Sequence, residues 1–349
     1  MQSFQTQALV PAFSRLVIFG DSLSDPGNVF DLTGFFPPFP YAEGRFSNGD
    51  IWVDYLVDQT GLDLAQVQNF AFGGAATGRD NGLEPLIGFL TGTEINLPGM
   101  LDQVDSYLGS LGDELADPDG LYVVWAGAND IFALLDDPAA MPDFLANQVQ
   151  NVATAIINLT QRGADTFLVP NLPDLGLTPR TQDQGTTDRA TALSQAFNES
   201  LAYALTALEQ NPLFNIDIVP VDLFTLTREV IARPEEFGFT NVTDPLIGQG
   251  GLVDPGFFWW DQQHPTTTAH ALLADTFQTA LTEAGYFGVP VQAPCISTVE
   301  AGEYTHTSTS SGWALPLPVY NLGLPSNTPA SMPISEPPFP SPDWLAGSI

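Results

Sequence analysis

Four short stretches of this chain hold residue types that could do chemistry together. Gly20-Asp21-Ser22-Leu23-Ser24 offers a serine hydroxyl in a turn that closes an apolar run. Asp261-Gln262-Gln263-His264-Pro265 offers a carboxylate and an imidazole three residues apart. A serine is a poor nucleophile until a base takes its proton, and the imidazole that does so needs its second nitrogen held by an acceptor. Asp261 and His264 could meet that need within one turn of backbone. Gly127-Ala128-Asn129-Asp130 offers an amide able to donate to a developing oxyanion, and Asn69-Phe70-Ala71-Phe72-Gly73-Gly74-Ala75 offers backbone N–H groups with no side chain in the way. Each motif also has an ordinary role. A lone Gly-Asp-Ser is usually a turn or cap, a lone Asp-x-x-His a locally satisfied histidine, and Asn or Gly a turn residue.

Composition narrows the competing chemistries. The chain has 349 residues, with 8 basic residues against 41 acidic ones and a formal charge of −33. All the basic residues are arginine, so a P-loop lysine, a Schiff base and a Ser-Lys dyad are all excluded. One cysteine, Cys295, excludes an internal disulfide and a thiolate zinc cluster. Only His264, His270 and His306 could serve an imidazole metal centre, and no His-Glu-x-x-His occurs; the expectation is no metal and no cofactor. A field this negative repels phosphate, so nucleic acid is not expected as a partner. The first fifteen residues lack the basic and apolar regions of a signal peptide, and no apolar run reaches membrane-spanning length. These features predict a soluble protein without a transmembrane segment, cytoplasmic or exported by another route.

The elements that must position these motifs alternate between strand and helix. Apolar runs at Leu16–Phe19, Leu121–Trp125, Thr166–Val169 and Ile216–Val221 read as buried strands. Helical periods cover Asn48–Gln59, Met141–Arg162, Arg189–Leu208 and Thr266–Ala284, with Gly163 and Gly285 as stops and Thr266 as a cap. The alternation predicts a parallel sheet covered by helices on both faces. Two glycine-rich stretches, Gly73–Gly99 and Gly238–Gly256, are long for structureless connections and are therefore candidate binding loops. After Val289 the chain becomes dense in proline, serine and threonine, which predicts either a mostly irregular tail with a strand near Trp313–Tyr320 or a tail that wraps the domain and buries Trp313 and Trp344.

The four motifs fall at strand ends or in loops, where the crevice of an open α/β sheet binds its ligands. Their order and extent resemble a known family. Phe19-Gly20-Asp21-Ser22-Leu23-Ser24-Asp25-Pro26-Gly27-Asn28, followed by Gly44-Arg45-Phe46-Ser47-Asn48-Gly49, is similar to the first block of the GDSL lipase/esterases of the SGNH hydrolase superfamily. The other three motifs resemble its later blocks, and the likeness spans about Arg15 to Phe287. The resemblance implies an α/β fold of three layers, α/β/α, with a five-stranded parallel sheet. It implies Ser22 as nucleophile, His264 as base and Asp261 as its orienter. Ser22, Gly74 and Asn129 would form the oxyanion hole, with Gly73 as an alternative to Gly74.

Pro26 departs from the small polar residue of many relatives. Ser24 stands where the Gly-x-Ser-x-Gly elbow of α/β-hydrolases has its second glycine, so that elbow is not expected. The organisation implied is an extension over 1–14, a catalytic domain over 15–288 and the tail over 289–349. The activity implied is hydrolysis of carboxylic esters, of lipid or short acyl chains, through an acyl-enzyme. An apolar rim at Leu83, Leu86, Ile87, Phe89, Leu90 and Phe257–Trp260 favours acyl chains, although such residues are more often core, and the stretch Phe35-Phe36-Pro37-Pro38-Phe39-Pro40-Tyr41 is a candidate lining of the same crevice. Carbohydrate deacetylation and acyl transfer to an alcohol are alternatives within the superfamily. A non-enzymatic acidic calcium-binding or surface protein is the alternative from another class.

Overall fold

The computed structural model describes residues 12–136, 144–249 and 251–287. These lie in the first of two compact units, Met1–Val289; the second, Pro290–Ile349, falls outside the described residues, and with it the expected tail, its strand and His306.

Seven strands and ten helices follow one another along the described residues. They are β1 (Leu16–Gly20), α1 (Asn28–Thr33), α2 (Trp52–Thr60), β2 (Val67–Asn69), α3 (Glu84–Thr91), α4 (Met100–Ser110), β3 (Leu121–Trp125), α5 (Ala128–Asp136) and α6 (Phe144–Gln161). After these come β4 (Thr166–Pro170), α7 (Pro179–Asp183), α8 (Thr187–Glu209), β5 (Asp217–Val221), α9 (Leu223–Ala232), β6 (Asn241–Pro245), β7 (Phe257–Trp259) and α10 (Thr267–Glu283).

The main sheet has five parallel strands in the order β2-β1-β3-β4-β5. Every residue of β1, β3 and β4 is buried, as a strand covered on both faces requires. One face packs Leu16, Ile18, Val123 and Trp125 against Trp52 and Leu56 of α2, Leu226 of α9 and Phe277 of α10. The opposite face stacks Phe19, Tyr122 and Phe167 in a line of aromatic contacts that includes Tyr107 of α4. The architecture is therefore α/β in three layers, with helices on both sides of the sheet.

Because β1 lies between β2 and β3, the chain leaves it in one direction and later returns on the other side. Crossovers diverge at this point and leave a crevice at the C-terminal ends of β1 and β3. Both the Gly-Asp-Ser turn and the Gly-x-Asn-Asp turn open there.

Several expectations are corrected. The helix expected from Asn48 starts only at Trp52. Asn48 is engaged elsewhere, accepting from the Thr267 N–H and donating to the Leu252 carbonyl, and the Asp54 carboxylate accepts the Ile51 N–H to cap the first turn. The stretch Gly73–Gly99 is not structureless, since it contains α3, which ends at Gly92 with φ +69°. Gly238–Gly256 contains β6, which pairs in parallel with β7. The helix expected from Met141 is described from Phe144, and 141–143 lie outside the described residues.

Candidate active site

Ser22 follows β1 directly, and the end of that strand is pinned from both sides. Gln103 of α4 accepts the Gly20 N–H and donates to the Gly20 carbonyl, both at 2.9 Å. Gly20 itself can be nothing larger, because a Cβ there would sit 2.6 Å from the Trp125 carbonyl oxygen. Ser24, in the place of the elbow's second glycine, is fully buried and accepts the Trp52 indole N–H at 3.1 Å. The turn is thus held by packing from α2 and α4 rather than by a glycine hinge.

His264 reaches Ser22 from the other end of the chain, 242 residues away. Its Nε2 lies 2.8 Å from the Ser22 Oγ, and its Nδ1 lies 2.6 Å from Asp261 Oδ2. The second carboxylate oxygen accepts two backbone N–H groups, from Gln263 at 2.8 Å and from His264 at 2.7 Å. The carboxylate therefore shapes the loop through Oδ1 and orients the ring through Oδ2. Burial alone would raise the Asp261 pKa, yet the His264 charge and these hydrogen bonds hold it below the ordinary carboxylate value. A carboxylate that stays ionised while buried suits the task of stabilising an imidazolium.

His270 differs in kind. It is buried in α10, where its Nδ1 accepts the Trp52 N–H at 3.3 Å. Burial, helped by the nearby His264 charge, pushes its pKa down to about 3, so it is a neutral packing residue.

The glycine doublet divides its work. Gly73 donates its N–H to Asp25 Oδ2 at 2.8 Å, and a Cβ on it would strike the Phe46 ring at 2.3 Å. Gly74 has φ +79°, and a Cβ there would meet Asn81 Oδ1 at 2.5 Å; among the described residues its N–H has no acceptor. The Ser22 N–H likewise has none among the described residues. Asn129, in the first turn of α5, donates one amide N–H to the Ala75 carbonyl at 3.0 Å, which ties the doublet's loop to the end of β3. Of the site residues read from the sequence, Ser22, Asn129 and His264 line one pocket, and Asp261 backs His264. Gly74 is not among the residues that line it.

That pocket, about 50 Å³, is walled chiefly by apolar groups, including Trp125, Phe132, Leu175, Leu223, Phe258 and Trp259. The apolar rim read from the sequence therefore splits. Phe258 and Trp259 are buried pocket wall, Ile87 and Trp260 are core, and Leu86, Phe89 and Leu90 stand exposed on α3.

Three further residues support the site, and two of them, Asp25 and Gln103, escape the sequence reading as parts of it. Asp25 is buried and accepts the N–H groups of Gly27, Asn28, Val29 and Gly73, so one carboxylate joins the turn after Ser22 to the glycine loop. Tyr41 donates its hydroxyl to Asp261 Oδ2 at 2.7 Å. Gln103 pins the end of β1. Asp25 sits in a recognisable motif but reads there as a turn former. No sequence signal marks Gln103, whereas Tyr41 ends the aromatic stretch Phe35–Tyr41, a candidate lining of the same crevice.

Residues 16–277 match the family described as GDSL-like Lipase/Acylhydrolase. The chain is similar to a phosphatidylcholine-sterol acyltransferase of Aeromonas hydrophila, 29% identical over 76% of this chain and 89% of that one. It is also similar to a thermolabile hemolysin of Vibrio parahaemolyticus, 31% identical over 75% of this chain and 62% of that one. Among solved structures it resembles a lipolytic G-D-S-L family protein from Veillonella parvula, 14% identical with a TM-score of 0.42, over 78% of this chain and 97% of that one.

Proposed function

The chain belongs to the GDSL-like lipase/acylhydrolase family and is a carboxylic-ester hydrolase, and from that premise we propose that Ser22, His264 and Asp261 carry the reaction. His264 Nε2 takes the proton of Ser22 as its Oγ attacks the ester carbonyl. The N–H groups of Ser22 and Gly74 and the amide of Asn129 receive the oxyanion. The tetrahedral intermediate collapses, the alcohol leaves with the proton from His264, and the acyl group stays on Ser22 until water repeats the sequence. The catalytic domain is 15–288 in this reading, and the acyl chain enters the apolar pocket beside Ser22. Family membership sets aside the non-enzymatic acidic protein.

The observation that carries this reading is the unbroken line Asp261 Oδ2, His264 Nδ1, His264 Nε2, Ser22 Oγ, with links of 2.6 and 2.8 Å. Gly74 rather than Gly73 is favoured as donor because Asp25 already holds the Gly73 N–H. The test is turnover of p-nitrophenyl butyrate by the parent and by Ser22→Ala, with and without EDTA. Ser22→Ala is expected to lose about 10⁶ in kcat while folding normally, and the parent is expected to ignore EDTA. Retention of more than a hundredth of the activity by Ser22→Ala would overturn the assignment.

A second reading is acyl transfer to an alcohol, favoured by the activity in the name of the Aeromonas hydrophila relative. In that case the same acyl-enzyme is intercepted by an alcohol instead of water. Ester formation from p-nitrophenyl butyrate in aqueous butanol, set against release of butyrate, separates the two.

A further inference from the structure

The loop that presents His264 carries one contact from far away in the chain. Tyr41, 220 residues before Asp261, donates its hydroxyl to Oδ2 at 2.7 Å. This is the oxygen that also faces His264 Nδ1 at 2.6 Å, whereas Oδ1 is occupied by backbone. The phenol is held from several sides. Its ring meets Trp260 edge-on at 5.9 Å and Phe46 at 6.4 Å, and Phe46 in turn lies 5.4 Å from the His264 ring. The Tyr41 N–H is fixed by the Pro38 carbonyl. Burial, with the Asp261 charge beside it, raises the pKa of the phenol, so Tyr41 remains a proton donor wherever the enzyme works.

Two donors on one carboxylate oxygen share its charge. A hydroxyl bonded to Oδ2 stabilises the ionised carboxylate and thereby weakens its hold on the imidazolium proton opposite. We propose that Tyr41 is a positioning residue, which locks the Asp261 carboxylate and tempers its pull on His264, so that the pH range of catalysis is set in part by a phenol outside the Ser-His-Asp line. The inference rests on the reading of Ser22, His264 and Asp261 given above. The other titratable and charged groups around the pair are Asp21 beside Ser22, His270 on α10, and Arg180 of α7, which donates to the Gln263 side chain at 2.7 Å. None of them bonds Asp261 Oδ2 in the described residues.

The test is the pH profile of kcat/KM for p-nitrophenyl butyrate, measured on the full chain with Tyr41→Phe. With its hydroxyl gone, Asp261 holds the shared proton more tightly, and the acid limb is expected to move to higher pH by about half a unit. KM is expected to stay within about twofold, because the phenol lies behind the imidazole and away from substrate. Placing 3-fluorotyrosine at position 41 alone keeps the shape and strengthens the donor, so the limb is expected to move the opposite way. This second variant decides the matter if Tyr41→Phe folds poorly. A limb that stays put in the variant that folds, or moves in the reverse sense, overturns the inference. Ser22→Ala, assayed alongside, reads the underlying assignment separately: an active Ser22→Ala sinks that assignment, whereas an inactive one with an unmoved limb sinks only the role of Tyr41.

Discussion

In the proposed reaction, single groups decide how the oxyanion is received. Asn129 is tied by one amide hydrogen to Ala75, which leaves the other for substrate. Asn129→Ala is expected to lower kcat by about 10²–10³ with little change in KM, as read from steady-state hydrolysis of p-nitrophenyl butyrate. Asp25 is buried and does not line the pocket beside Ser22, yet it holds the Gly73 N–H and the turn that follows Ser22. Asp25→Ala, which frees four backbone N–H groups, is accordingly expected to lower the melting temperature far more than Asn129→Ala, which loses one bond to Ala75, although both lower kcat; comparing the two by thermal unfolding and kinetics separates support from chemistry. At this scale the sequence was informative where a side chain must be one particular type. Ser22, Asp261, His264 and Asn129 stand in motifs whose residue types are chemically constrained. The sequence places Tyr41 in a stretch that could line the crevice, Phe35-Phe36-Pro37-Pro38-Phe39-Pro40-Tyr41, but not on Asp261, because that contact spans 220 residues and no local pattern encodes it.

At the scale of elements, legibility followed burial. Strands β1, β3 and β4 are buried throughout, and their apolar runs announced them. Strand β2 was missed because it is three residues long, half-exposed and at the sheet edge, so no alternation survives in Val67-Gln68-Asn69. Helix α3 was hidden in a loop whose glycines suggested irregular chain, although Gly92 is in fact its stop. The start of α10 agrees with the cap expected at Thr266. Thr266 accepts the Ala269 N–H and donates to the Phe257 carbonyl, joining β7 to the helix two residues after His264. Thr266→Ala is expected to cost about 1–2 kcal/mol in urea unfolding, and also some kcat, because the cap anchors the histidine loop.

For the molecule as a whole, the charge balance and the buried acids act in the same direction. Asp21 and Asp25 are raised to about 6 and Asp130 to about 7, in each case chiefly by burial. Carboxylates whose folded pKa exceeds the unfolded one bind extra protons in the folded state between about pH 4 and pH 7, so stability falls as pH rises through that window. Each costs on the order of 3 kcal/mol once it is fully ionised. Self-repulsion at a formal charge of −33 grows over the same range. The melting temperature is therefore expected to be higher near pH 5 than at pH 8, and molar sodium chloride is expected to recover part of the difference at pH 8 by screening. A flat profile in calorimetry would contradict the burial of these three acids.

The carboxylate of Asp25 has one more consequence. It clasps the backbone after Ser22 and the backbone of the glycine loop at once, so the two segments behave as a single cassette. A chimera that imports a foreign glycine loop without a matching acid after its own serine would misplace both halves of the reaction centre together, and restoring either half by itself would rescue nothing.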